Sequence, residues 1–198
     1  MKLQKTALTT AFALSISCTA FAAGPNAIAD TQRDVNQQER IEQGLKSGEL
    51  NTKEASKLEH EETKVEHDQA AALKNGSISP SEQKKLTAKE NRVSQNIHQQ
   101  KHDAQTGHPN SASSRRMQAD VQRNINQQER IEHGERSGQL TNREAGKLEH
   151  GQARDTAKEA RAGADGHVGA REQHRIQTAE NHQSGRIHHK KHNEKVAG

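Results

Sequence analysis

Apolar residues are sparse along this chain and recur at helical spacing, mostly four or seven positions apart. The residues between them are mainly Gln, Glu, Lys, Arg and Ala, which are strong helix formers. Each predicted helix therefore carries a narrow apolar seam along one side. In the first half of the chain the seam consists of Val35, Ile41, Leu45, Leu58, Val65, Ala72, Leu86, Val93 and Ile97. This pattern predicts an all-α fold.

The chain contains an internal duplication. Residues 33–103 align with residues 123–193 without a gap, and 30 of the 71 aligned positions are identical. The longest shared run, NQQERIE, stands at residues 36–42 and again at residues 126–132. Shared composition does not produce identity of this extent, so we interpret the two segments as homologous repeats.

The repeats predict two modules of the same architecture. Each is expected to contain three antiparallel helices, and in the first module these cover residues 31–46, 52–74 and 80–103. The segment between the modules, residues 104–114, is rich in Gly, Pro, Asn and Ser and is typical of a flexible linker. The predicted boundaries are therefore 31–103 for module 1, 104–114 for the linker and 115–193 for module 2.

A short theme recurs at four predicted helix junctions: a Gly, an apolar residue two positions later and a Glu six positions later. It matches the second half of an EF-hand calcium loop, in which that Glu is a bidentate ligand. The first half of such a loop is mostly missing, because Leu45, Leu73 and Arg161 stand where oxygen ligands are required. Helix caps, with Gly ending one helix and Glu closing a capping box on the next, account better for the same residues. The four pairs are Gly48 with Glu54, Gly76 with Glu82, Gly138 with Glu144, and Gly166 with Glu172.

In these turns and in its Gln-rich, His-containing repeats, the chain resembles uncharacterised secreted helical-repeat proteins of Gram-negative bacteria that carry EF-hand-like half-loops. The resemblance spans nearly the whole chain after residue 22. It implies export and a non-enzymatic role, and it implies no particular substrate.

Histidine is unusually frequent, with 13 residues in the chain. The pairs His98 with His102 and His188 with His192 are spaced i, i+4, which places both imidazoles of a pair on one helix face. His189 adds a third candidate ligand beside the second pair. Imidazole ligands without sulfur suit Zn²⁺, Ni²⁺ or Cu²⁺, whereas Ca²⁺ would depend on the glycine turns. The alternative is that these histidines only complement the dipole at a helix C-terminus.

The N-terminal segment has the features of a signal peptide. Lys2 and Lys5 precede an apolar run, and Ala20, Phe21 and Ala22 supply the small residues of a cleavage site. Removal of residues 1–22 would leave a chain without Phe, Tyr, Trp or Cys, and so without disulfide or thiolate chemistry. We therefore expect a periplasmic or secreted protein with no membrane span after cleavage.

Composition and charge narrow the function classes. After residue 22 only 22 of 176 residues are Ile, Leu, Val or Met, too few for a large enzyme core. The formal net charge is +4, residues 115–198 are mildly basic, and no aromatic residue is available for base stacking, so nucleic acid is not an expected partner. The leading hypothesis is a non-enzymatic periplasmic protein that binds or buffers divalent metal. The alternatives are a structural protein that binds a partner protein or an envelope polyanion, and a degenerate EF-hand-like calcium-responsive protein.

Overall fold

A computed structural model describes residues 25–193, and in that range the chain forms six α-helices and no strand. The all-α prediction is confirmed, and the nine seam residues of the first repeat are all buried. The predicted signal peptide, residues 1–22, lies outside the described residues. The helices are α1 (Pro25–Ser47), α2 (Thr52–Ala72), α3 (Pro80–Lys101), α4 (Ala112–Arg136), α5 (Asn142–Ala162) and α6 (Ala170–Lys191), and a short 3-10 turn, Leu73–Asn75, follows α2.

Helix α4 begins earlier than the repeat pattern indicates. Ser111 is its N-cap, and the Ser111 side chain accepts a hydrogen bond from the Ser114 backbone N–H. The segment before it lies against the turn between α1 and α2, where the Gly107 N–H donates to the Gly48 carbonyl at 2.8 Å. Gly107 also has no room for a side chain, because a Cβ there would lie 2.3 Å from the Leu50 carbonyl oxygen. The residues predicted as a linker therefore include the first turn of α4 and a close backbone contact.

The closest helix packing joins the two repeats. Helix α1 packs along α4, and α2 packs along α5, while α3 lies against α1 and α2 and α6 lies against α4 and α5. The two central pairs stack on each other through contacts of α1 with α2 and of α4 with α5. Apolar side chains from both repeats, such as Val35 and Leu58 with Met117 and Val121, share one core cluster.

Glycine permits the close approach of α2 and α5. A Cβ on Gly146 would lie 2.8 Å from the Leu73 Cβ and 3.3 Å from the Ala70 carbonyl oxygen. At the other end of the pair, a Cβ on Gly163 would lie 2.9 Å from the Ser56 Cβ. The start of α5 therefore contacts the end of α2, and the end of α5 contacts the start of α2, so the helices run antiparallel.

Gly146 and Gly185 make a matched pair for testing this contact, since both are helical but only Gly146 faces a neighbour. We expect Gly146→Ala to lower the free energy of unfolding by about 1 to 3 kcal/mol, because α2 must move to admit the methyl group. Gly185 has no heavy atom within 4 Å of its Cβ position, so Gly185→Ala should stabilise the protein by up to about 1 kcal/mol. Urea denaturation of both variants measures the difference. A stabilising Gly146→Ala would contradict the described packing.

Candidate functional site

The four theme glycines adopt the left-handed conformation in the turns that follow α1, α2, α4 and α5. Their φ angles are positive, which a residue with a Cβ rarely adopts, so glycine is required at these turns. The angles are 81° at Gly48, 95° at Gly76, 71° at Gly138 and 91° at Gly166.

The four theme glutamates cap the helices that follow. At α3, Glu82 Oε2 accepts a hydrogen bond from the Ser79 N–H at 2.8 Å, and the Glu82 N–H donates to Ser79 Oγ at 3.3 Å. The hydrogen bonds that the Ser79 hydroxyl, at 2.6 Å, and the Ser79 N–H donate to the Glu82 carboxylate lower the pKa of Glu82. At α6 the cap residue is Gly169, which has no side chain, so only the bond from its N–H to Glu172 forms. Complete capping boxes also form at Asn51 with Glu54 and at Thr141 with Glu144.

The two predicted histidine pairs have the same geometry. The ring centroids of His98 and His102 lie 4.2 Å apart, and those of His188 and His192 also lie 4.2 Å apart. In each pair the second ring places Nδ1 2.8 Å from the carbonyl oxygen of the first residue. A carbonyl oxygen only accepts, so Nδ1 carries the proton and Nε2 keeps its lone pair for a ligand. All four side chains are exposed.

His189 lies apart from the second pair. Because it follows His188 directly, its side chain leaves the helix on a different side, and it borders a shallow depression with His182 and Arg186. Within residues 25–193 no group of three or more His, Cys, Asp or Glu side chains has an arrangement that could hold a metal ion. Each pair therefore supplies two ligands.

Sequence reasoning did not predict the largest feature of the interior, which is a layer of buried acidic side chains. Of the 26 Asp and Glu residues in the chain, 25 lie within residues 25–193, and 15 of these are buried, whereas no Lys or Arg in that range is buried. Most of the acidic side chains lie where the α1/α4 pair stacks on the α2/α5 pair or where α3 and α6 pack against it. The buried acids are Asp30, Asp34, Glu42, Glu54, Glu59, Glu62, Glu66, Glu90, Asp120, Glu135, Glu144, Glu149, Asp155, Glu159 and Glu180.

Buried amides bind some of these carboxyl groups, and one such contact recurs in both repeats. Gln38 Nε2 donates to Glu59 Oε2 at 3.0 Å, and Gln128 Nε2 donates to Glu149 Oε2 at 3.0 Å. Burial raises the pKa of Glu59 and of Glu149 to about 7, although the amide hydrogen bond favours the charged form. These side chains connect α1 with α2 and α4 with α5.

At other equivalent positions, one repeat has an acidic residue and the other repeat has the corresponding amide residue. Asp34 corresponds to Asn124, and Glu62 corresponds to Gln152, at the 90-residue offset of the duplication. Gln69 corresponds to Glu159, whose two carboxyl oxygens both lie 2.9 Å from Asn124 Nδ2. A protonated carboxyl group and an amide have similar size and both donate and accept, which explains the exchange. This pattern is visible in the self-alignment and is a signal that could have predicted the layer.

Glu62 is a buried acid of this layer whose carboxyl group receives no hydrogen bond from the described residues. It is completely buried, and neither carboxyl oxygen has a hydrogen-bond partner among the described residues. Burial raises its pKa well above the ordinary value, and the nearby carboxyl groups of Glu59, Glu66 and Glu90 raise it further. The position therefore favours the neutral form of the Glu62 carboxyl group.

Comparison of the chain with protein-family models, with curated proteins and with solved structures finds no match. No helix within residues 25–193 is long and apolar enough to cross a membrane.

The exchange of Glu62 and Gln152 gives a direct test of the acidic layer. We expect Glu62→Gln to raise the free energy of unfolding at pH 8 by about 1 to 3 kcal/mol, because the amide removes a buried carboxyl group that must stay protonated. At pH 5, where the carboxyl group is protonated in the folded chain, the gain should be smaller. Gln152→Glu is the matched reverse change and should destabilise more at pH 8 than at pH 5. Urea denaturation at the two pH values measures both, and equal effects at both would contradict the described protonation.

Proposed function

We propose that this is a non-enzymatic periplasmic protein that binds or buffers divalent transition-metal ions through its two histidine pairs. The observation that carries the proposal is the recurrence of one ring geometry at the same position of both repeats. In His102 and His192 the proton on Nδ1 is held by a backbone carbonyl, which leaves Nε2 facing solvent as a ligand atom.

The donor set indicates which ions suit these pairs. Two imidazoles one helix turn apart can reach a single ion at the Zn–N distance of about 2.0–2.1 Å. Zn²⁺, Ni²⁺ and Cu²⁺ are the ions that imidazole favours, and water would complete the coordination of a two-ligand site. Such sites would be weaker and more exchangeable than a closed four-ligand zinc site, which fits buffering of an ion better than permanent storage.

Calcium binding at the glycine turns is the less supported alternative. The Glu82 carboxylate already accepts hydrogen bonds from the Ser79 N–H and Oγ, so a calcium ion would have to compete with a helix cap. The aliphatic residues Leu45 and Leu73, which stand at predicted ligand positions, are both buried.

Isothermal titration calorimetry of the chain from Ala23 onward tests the metal proposal, since this chain retains every described residue. We expect Zn²⁺ and Ni²⁺ to bind, and binding to be lost when His98, His102, His188 and His192 are all replaced by Ala. Binding should also weaken below about pH 6, where imidazole takes up a proton.

The matched control replaces His60 and His150, which are exposed and also occupy equivalent positions in the two repeats. This variant should bind as the wild type does, and circular dichroism should show unchanged helicity in both. Undiminished Zn²⁺ binding by the fourfold His→Ala variant would contradict the proposal. If that variant still released or absorbed heat on titration with Ca²⁺, the result would favour calcium binding at the glycine turns.

A further inference from the structure

The solvent-facing side of the α2/α5 pair is a continuous basic face. Along each helix its cations are spaced four or seven residues apart, so each row occupies one helix side, and one further cation follows in the turn after α2. All eight side chains are exposed. We define the basic face as Lys53, Lys57, Lys64 and Lys74 from α2 and the turn after it, with Arg143, Lys147, Arg154 and Arg161 from α5.

The two rows lie side by side. Lys53, Lys57 and Lys64 border one groove together with Arg161 of the neighbouring helix. At the other end of the pair, Arg143 Nη2 lies 3.5 Å from the Asn75 carbonyl oxygen. Near the middle, the ring centroids of His67 and His150 are 6.1 Å apart. The rows therefore form one surface along helices that are about 30 Å long.

The cations of the basic face have no carboxylate partners. None of the eight forms an ion pair within residues 25–193, although ion pairs occur elsewhere on the molecule. Two half-buried acids of α2 lie near these cations, and Glu61 borders the same groove, but both make their polar contacts with α3. Glu61 accepts a hydrogen bond from Asn96 of α3, and Asp68 pairs with Lys89 of α3.

The opposite side of the molecule, the solvent-facing side of the α1/α4 pair, has a different charge pattern. Its exposed cations Lys46 and Arg136 each pair with a glutamate one turn earlier on the same helix. Exposed Glu39 and Glu129 lie on the same helices. Exposed cations without an ion pair also occur on α3, α4 and α6, but on the α2/α5 side eight of them stand in two adjacent rows.

We propose that the basic face is a docking surface for an anionic membrane, which it contacts through the phosphate groups of lipid head groups. This function is independent of the histidine pairs and lies beyond metal binding. Two adjacent helices present a flat surface to a planar partner, and each Lys or Arg near an anionic bilayer adds to the attraction. The other exposed residues of α2 and α5 are His60, His67, Ala71 and His150, so the face offers no large apolar side chain for insertion into the bilayer.

Nucleic acid is a poorer fit to this surface. The face has no Phe, Tyr or Trp side chain on which the bases of a single strand could stack, and no helix projects from it to enter a groove of a duplex.

Vesicle co-sedimentation of the chain from Ala23 onward tests the proposal. Vesicles containing equal parts of phosphatidylglycerol and phosphatidylcholine should bind the protein, whereas pure phosphatidylcholine should not. We expect the triple variant Lys57→Gln, Lys64→Gln, Arg154→Gln to bind the anionic vesicles at least about tenfold more weakly. Binding should also fall as salt is added, because the contacts are exposed and screened.

The matched control removes three exposed charges from α1 and α4 instead, as Lys46→Gln, Arg115→Gln, Arg136→Gln. It should retain most of the binding, and circular dichroism should show that both variants stay folded. An equal loss in both triple variants would mean that only net charge matters and would overturn the proposal. The proposal would also be overturned if the wild-type protein did not bind anionic vesicles, or if it bound a duplex DNA probe but no vesicles.

Discussion

The interior of this protein depends on carboxyl groups that are kept neutral or hydrogen-bonded between two stacked helix pairs. The chain has too few aliphatic residues and no aromatic residue after position 22 to fill that space, so Glu and Gln side chains fill it. Their methylene groups pack like those of aliphatic residues, but their polar ends must be satisfied without water. Glu59 and Glu149 receive amide hydrogen bonds, whereas Glu62 has no hydrogen-bond partner among the described residues and its burial raises its pKa, which favours the protonated form. The helix pairing follows from this constraint together with the glycines that bring α2 and α5 into contact.

The same constraint determines the charge of the surface. Because 15 acidic side chains are buried and no cation of the described range is, the exterior is more basic than the formal charge of +4 indicates. On the α2/α5 side eight exposed cations stand in two adjacent rows, because the inward side of each helix carries Glu and the outward side carries Lys or Arg. The histidine pairs stand at the C-terminal ends of α3 and α6, outside the acidic layer, so they can change without disturbing it.

Local features of the fold could be predicted from the sequence because local residues determine them. The glycine turns and the capping boxes at Ser79 and Thr141 depend on the side chains of four or five consecutive residues. The acidic layer could not be predicted in the same way, since Glu is normally exposed and its burial depends on which helices pair. The basic face could not be predicted for a related reason. In a net charge summed over half of the chain, the buried acidic residues cancel the exposed basic ones. The membership of His189 in a metal site was also predicted from proximity in the sequence, but helix geometry separates it from His188.

The free energy of unfolding as a function of pH tests the acidic layer most directly. Burial raises the pKa of Glu59 and Glu149 to about 7 and that of Glu135 to about 8, so between pH 5 and pH 8 the folded chain holds more protons than the unfolded chain. Stability must then fall as pH rises through that interval. Urea denaturation should give an unfolding free energy at least about 2 kcal/mol lower at pH 8 than at pH 5. A free energy that is constant or rises over this interval would contradict the account.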